Sequence, residues 1–171
     1  VETFLLYFDL RKFSVVEQTR EPDEVLRILN LMHGLIEAPL GSLGAELYAV
    51  HTDTAIWLVS PRAADRIAEV LRTVKDEVDG LMAGLGLPSR LHVACVYGEV
   101  RRGTIALAAR VHANVSGPAM DDLQFHIHMA ERYGELNQEA VFSAEAWGRL
   151  PDQRGFRERS LDGHRFFVAS R

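Results

Sequence analysis

The chain is predicted to be α+β: a ferredoxin-like βαββαβ core sheet with helices on it, followed by a C-terminal extension of βαββ type. Three observations lead there. Apolar runs of strand length and longer stretches of helical periodicity follow one another in the order strand, helix, strand, strand, helix, strand. The second and third strands are separated only by His51-Thr52-Asp53-Thr54, which makes them a hairpin. The remaining connections require no long structureless loop.

Thr3–Leu10 is almost continuously apolar, as expected of a strand covered on both faces, and it closes in Phe8-Asp9-Leu10. Asp9 thus stands where a central strand runs out. Arg11–Arg20 is polar and reads as loop. Glu21-Pro22-Asp23-Glu24 opens a helix, with proline in its first turn and acids favoured by the helix dipole. Val25, Ile28, Leu29, Leu31, Met32 and Ile36 carry its apolar face, and Pro39 and Gly41 end it. Glu46–Val50 and Ala55–Val59 are the hairpin strands, with Asp53 at the tip, where aspartate is also ordinary turn chemistry.

Ser60-Pro61 starts a second helix, whose stripe of Ala64, Ile67, Val70, Leu71, Val74, Val78 and Leu81 reads as core before Gly84, Gly86 and Pro88 close it. Leu91–Val100 and Thr104–Val111 read as strands joined through Gly98–Gly103, with Arg101 and Arg102 near the turn, where a solvated loop is favoured over phosphate binding. Ser116-Gly117-Pro118 begins a third helix running to about Leu136, in which Leu123, Ile127 and Ala130 share the stripe that packs on the sheet. A strand at Ala140–Phe142, a short helix at Ala144–Leu150 and a last hairpin, Phe156–Ser160 with His164–Ala169 turning at Asp162-Gly163, complete the chain.

Composition narrows the function classes. The 171 residues, 47% hydrophobic and 25% charged, suit one globular domain spanning 1–171 with a full core. A net charge of −5 gives no general reason to expect nucleic-acid binding, although a local basic pocket is compatible with it. The one cysteine, Cys95, sits in an apolar strand run, which excludes a disulfide within the chain and fits a reducing compartment. No apolar run approaches the ~20 residues needed to span a bilayer, and a cytoplasmic location without membrane insertion is expected. A chain opening on Val1 rather than Met is expected to be part of a longer protein, with regulatory domains covalently linked to it. His126 and His128 form an H-x-H that is a poor chelate on a helix, because i and i+2 point to different sides. Trp57 reads as core or dimer interface.

In a βαββαβ unit the first strand and the central hairpin are neighbours in mid-sheet, so Asp9 and Asp53 can converge. Two carboxylates at one sheet edge repel each other unless a cation, a proton or a basic side chain lies between them. Magnesium takes one or two carboxylates together with substrate phosphates. Two such ions activate an attacking oxygen and steady a leaving phosphate, which points to phosphoryl or nucleotidyl transfer. The competing reading is two unrelated turn acids in solvent.

Phe8-Asp9-Leu10 with Lys12-Phe13-Ser14, Gly44-Ala45-Glu46 through Thr52-Asp53-Thr54, Gly98-Glu99-Val100 with Gly103, Val141-Phe142-Ser143, and Leu161-Asp162-Gly163-His164 occur in the order and rough spacing of one family. They resemble the catalytic domain of class III nucleotidyl cyclases, over nearly the whole chain. The resemblance implies a homodimer with active sites at its interface and two divalent ions, Mg2+ or Mn2+. The implied reaction turns a nucleoside triphosphate into a 3′,5′-cyclic monophosphate and pyrophosphate. It also implies metal ligation by Asp9, Asp53 and the Leu10 carbonyl, with backbone N–H groups of Lys12, Phe13 and Ser14 facing the triphosphate. Where adenylyl cyclases of the family read the purine with a lysine, Tyr48-Ala49 supplies no cation, so the base of the nucleotide stays open. Lys12, Thr52 and Thr54 replace family glycines, at a cost in backbone freedom. The family's Asn and Arg, which act across the dimer on the transition state, admit two registers. Gly117 as the motif glycine gives Asp121 and Phe125, and a later register gives His128 and Arg132. The two differ by roughly 10 Å along one helix face. The alternative function is a dimerising or nucleotide-sensing module of the same fold without catalysis.

Overall fold

The structure, a computed structural model, describes residues 1–107 and 110–169. Its centre is β1 (Glu2–Arg11), which pairs antiparallel with β3 (Thr54–Val59) on one side and with β4 (Arg90–Glu99) on the other. β2 (Glu46–His51) lies beyond β3, so the first four strands stand in the ferredoxin-like order β2-β3-β1-β4. The extension widens the same sheet. β7 (Val141–Ser143) joins β4 in parallel, and β9 (His164–Ala169) and β8 (Phe156–Leu161) follow to complete seven strands.

β1 is central because both of its faces are apolar. Phe4, Leu6, Phe8 and Leu10 point one way and meet α2 (Pro22–Gly41) and α3 (Ala64–Gly84) through Ile28, Met32, Ile36, Ile67, Leu71, Val74 and Val78. Leu5 and Tyr7 point the other way, with Ala94 and Val96, and are covered by Leu123 and Ile127 of α4 (Pro118–Arg132). Ala130 of the same stripe packs with Phe166 and Val168 in a smaller cluster, and α5 (Ala144–Gly148) closes the far end. Trp57 is core and Cys95 is a buried thiol. His92 and His126 are 1% and 4% exposed, and burial keeps them neutral by pushing their pKa values down to about 3 and about 4. Among the described residues no helix is long and apolar enough to cross a membrane.

Several local expectations are corrected. The polar stretch after β1 is not all loop: α1 (Phe13–Thr19) forms there, held by one buried residue, Val16. Pro39 lies inside the last turn of α2, which runs to Gly41. The third helix stops at Arg132, where Tyr133 turns extended before a 3-10 turn at Gly134–Asn137. Gly98–Gly103 is not a connecting turn, because β5 (Arg101–Leu107) follows β4 after Val100 alone. The expected strand Thr104–Val111 is instead divided between β5 and β6 (Arg110–Ser116), which form a separate two-stranded ribbon. Arg102 is therefore a ribbon residue, and its guanidinium meets the Glu46 carboxylate at 2.8 and 3.0 Å.

The two sheet edges differ. β8 carries Arg157, Glu158 and Arg159, the charged blunting usual at an edge. β2 instead leaves Leu47 and Val50 exposed, with Ile105 of the ribbon also exposed.

Candidate active site

Strand register builds the site. Asp9 of β1 is opposite Thr54 of β3, which leaves Asp53 one residue further along in the turn. The Leu10 N–H donates to the Asp53 carbonyl at 3.2 Å and fastens that turn to the end of β1. Asp9 Oδ1 accepts the Thr54 hydroxyl at 3.1 Å, while Oδ2 lies 3.2 Å from Arg11 Nη1. Burial raises the Asp9 pKa, the charges of Asp53 and Glu131 raise it further, and Arg11 and Thr54 offset this only in part. The two aspartates are thus near enough for one to feel the other.

Backbone strain flanks both. Lys12 (φ 62°) and Thr52 (φ 49°) occupy the left-handed region, which costs a residue with a Cβ roughly 1–2 kcal/mol. Among the described residues only Asp162 is a further non-glycine there. Neighbours hold the strained positions. The Thr52 carbonyl accepts from His33 Nε2 of α2 at 2.6 Å, and the Thr52 hydroxyl donates to Asp53 Oδ1 at 2.9 Å. The Lys12 carbonyl accepts from the Val15 N–H at 3.0 Å and the Ser89 hydroxyl at 3.3 Å. Lys12 is also the residue before α1, whose first turn has no side-chain cap, and Phe13 and Ser14 open that helix.

The other residues singled out in the sequence are dispersed. The Tyr48 hydroxyl accepts the Val115 N–H at 3.1 Å and lies 3.4 Å from Asn114 Oδ1, so it pins β2 to β6. Ala49 is exposed beside a register shift. Asp121 is exposed in the first turn of α4 and Arg132 is in its last, with Arg132 Nη1 2.9 Å from Asp162 Oδ2. His128 is exposed, whereas Phe125 packs against His164 and Phe166 at 4.5 and 6.2 Å between ring centroids. Gly117 opens α4 at φ 124°, and a Cβ there would lie 2.8 Å from the Glu99 carbonyl, so only glycine fits.

Sequence reasoning passed over Arg11, Glu131, His33 and Asn137. Arg11 had a signal, since strand period two puts it on the face of Asp9. Asn137, which accepts Arg11 Nε at 3.1 Å, had none. Among the described residues no three His, Cys, Asp or Glu side chains gather as a metal cluster. The site instead offers two carboxylates and backbone carbonyls. That oxygen-only set fits a hard cation completed by substrate phosphates, not a closed zinc centre.

The chain superposes over 99% of its length on 92% of the crystal structure of the guanylyl cyclase Cya2, with TM-score 0.72 and 21% identity. It matches the guanylate cyclase domain of RhGC from Catenaria anguillulae in complex with GTP at TM-score 0.74 and 14% identity, covering 99% of this chain and 97% of that one. All of it superposes on a bacterial light-regulated adenylyl cyclase at TM-score 0.84 and 14% identity, and there it spans 53% of that chain. No family model matches the sequence. No curated protein matches it either. The fold is that of nucleotidyl cyclase catalytic domains, reached with little sequence in common.

Proposed function

We propose that residues 1–171 are a divergent nucleotidyl cyclase domain, working as a homodimer in the cytoplasm within a longer regulatory protein. One observation carries this reading: Asp9 and Asp53 stand together at the ends of adjacent strands, in a fold that follows cyclase domains along the whole chain. The substrate is a nucleoside triphosphate. Its 3′-oxygen attacks the α-phosphorus, the bond to the pyrophosphate oxygen breaks, and the hydroxyl proton leaves to solvent. Two divalent ions, Mg2+ or Mn2+, supply Lewis acidity when bound.

The chain's own residues do the rest. Asp9, Asp53 and the Leu10 carbonyl would hold the ions through oxygen. Backbone N–H groups of Lys12, Phe13 and Ser14 hydrogen-bond the triphosphate, and the Lys12 ammonium adds charge. Tyr48 and Ala49 lie towards the base and offer it no cation, which leaves room for a pyrimidine. From α4 the partner protomer contributes either Asp121 or His128 with Arg132, and Arg132 must then exchange Asp162 for the transition state. The exposed Leu47, Val50 and Ile105 supply apolar surface for the second copy.

Incubation with each of the four ribonucleoside triphosphates and Mn2+, followed by product analysis, tests this. A cyclic nucleotide whose formation is abolished by Asp9→Asn and by Asp53→Asn is expected. No product from any of the four, with folded dimeric protein, overturns the enzymatic reading. A second reading, nucleotide sensing without turnover, is favoured by Phe125, which packs into an aromatic cluster and brings no polar group to the transition state. Calorimetric binding of a triphosphate without turnover distinguishes it.

A further inference from the structure

We infer that Arg11 is a tethered counter-cation that weakens divalent-metal binding at Asp9 until a triphosphate arrives and takes over the guanidinium. The inference rests on Asp9 being a metal ligand. Arg11 and Asp9 share one face of β1, and the Nη1 to Oδ2 distance is 3.2 Å with side chains 22% and 15% exposed. Shelter from solvent keeps that interaction poorly screened.

The guanidinium is clamped in place. Its Nε donates to Asn137 Oδ1 at 3.1 Å, while Asn137 Nδ2 donates to the Ala130 carbonyl at 3.1 Å. The Asn137 carbonyl in turn accepts Lys75 Nζ at 3.0 Å, so the clamp is anchored in α3. Arg11 Nη2 is buried and has no hydrogen-bond partner among the described residues. A buried donor left over beside a carboxylate pair is an unfilled position for an anionic oxygen.

Charge decides the order of events. Asp9 feels three charged neighbours, the carboxylates of Asp53 and Glu131 and the guanidinium of Arg11. The positive one already faces Oδ2, so its charge would oppose a dication held by that carboxylate and lower the affinity for metal alone. A triphosphate brings anionic oxygens that satisfy Nη2 and draw the guanidinium off the carboxylate. Metal and triphosphate therefore bind better together than apart, a coupling that is reciprocal by thermodynamic necessity. Arginine suits this exchange because its fork can hold a carboxylate and a phosphate in turn.

The test is Mn2+ binding, read by electron paramagnetic resonance, first with Mn2+ alone and then with the Mn2+–tripolyphosphate complex. Arg11→Gln is expected to bind Mn2+ alone ~10-fold more tightly than the parent, a change of about 1.4 kcal/mol, and to bind the tripolyphosphate complex more weakly. Asn137→Ala, which keeps the arginine and removes its clamp, is expected to move both in the same directions by smaller factors. It carries the test alone should Arg11→Gln fail to fold by circular dichroism. Unchanged or weaker binding of Mn2+ alone, or tighter binding of the tripolyphosphate complex, overturns the inference where Asp9→Asn still removes binding. Binding that Asp9→Asn leaves intact overturns the metal reading of Asp9 itself, as does the absence of binding in every variant.

Discussion

Asp79 and Asp9 are both sheltered carboxylates facing a cation of their own chain, and they are finished to different degrees. Asp79 Oδ2 lies 3.0 Å from Lys75 Nζ and 3.6 Å from Arg90 Nη1, and Oδ1 accepts the Leu91 N–H at 2.8 Å. Lys75 also donates to the Leu91 carbonyl at 2.6 Å, so the pair grips both backbone groups of one β4 residue. Asp9 has Thr54 and Arg11 but also two more carboxylates close by, and its pKa goes up. A saturated ion pair holds a fold together, whereas an unsaturated one leaves a demand that a ligand can meet. Asn137 joins the two, with its carbonyl on Lys75 and its side chain on Arg11.

The largest effect expected from breaking this contrast is at the finished pair. Lys75→Met takes from Asp79 its nearest cation, leaving the Leu91 N–H and the more distant Arg90, and is expected to cost ~3–5 kcal/mol, read from the denaturant midpoint. Asp9→Asn should act in the opposite sense. A folded pKa above the unfolded one means that the ionised form is disfavoured by folding, so neutralising it leaves stability at pH 7 unchanged or slightly higher. A loss comparable to that of Lys75→Met would erase the distinction between the two sites.

The buried histidines come next. With folded pKa values of about 3 for His92 and about 4 for His126, both take up protons on unfolding below their ordinary value. Stability should therefore fall as pH drops from about 6.5 towards 4, by an amount on the order of 3 kcal/mol for each. Asp122 opposes this. Burial first, and then Glu145, raise its pKa to about 6, so its contribution is lost as pH rises from about 4 to 6. His126→Phe should flatten the melting temperature between pH 4 and 7, and Asp122→Asn should steepen it.

Smaller effects sharpen the site itself. Thr54→Val removes one hydrogen bond to Asp9 Oδ1, costs about 1 kcal/mol, and lifts the Asp9 pKa further, a shift that carbon-detected NMR titration can follow. Lys12→Gly and Thr52→Gly relieve left-handed backbone and should each raise stability by up to ~1 kcal/mol in thermal melts. A loss of stability in either would mean that the side chains repay more than the strain.

Legibility followed burial. β1 could be read because both faces are covered, and its apolar run stops at the residue where solvent and charge begin. The β2–β3 hairpin was legible from its polar turn, and with β1 it predicted the meeting of Asp9 and Asp53. α1 was not legible, because a helix with one buried residue leaves no periodic stripe. The ribbon reads as one strand in the sequence because Thr104–Val111 contains no Gly, Pro, Asn or Asp, the usual turn residues. Arg11 shows a different failure. Its period-two relation to Asp9 was visible, but the clamp that gives it meaning comes from Asn137, which is distant in sequence and brought close only by the fold.

The central position of β1 also bears on how the chain is made. β1 leaves the ribosome before either of its neighbours; its register with β3 waits for α1, α2 and the hairpin, and its register with β4 waits for α3 as well. Until Arg90–Glu99 emerges, the most apolar strand of the sheet has no partner on one side. Contacts so far apart in sequence make for slow folding and a long exposure of a strand prone to pairing with other chains. The residues of β1 that end in the candidate site are thus made before the strand that completes their pairing, and within this domain they are the stretch most open to mispairing until β4 arrives.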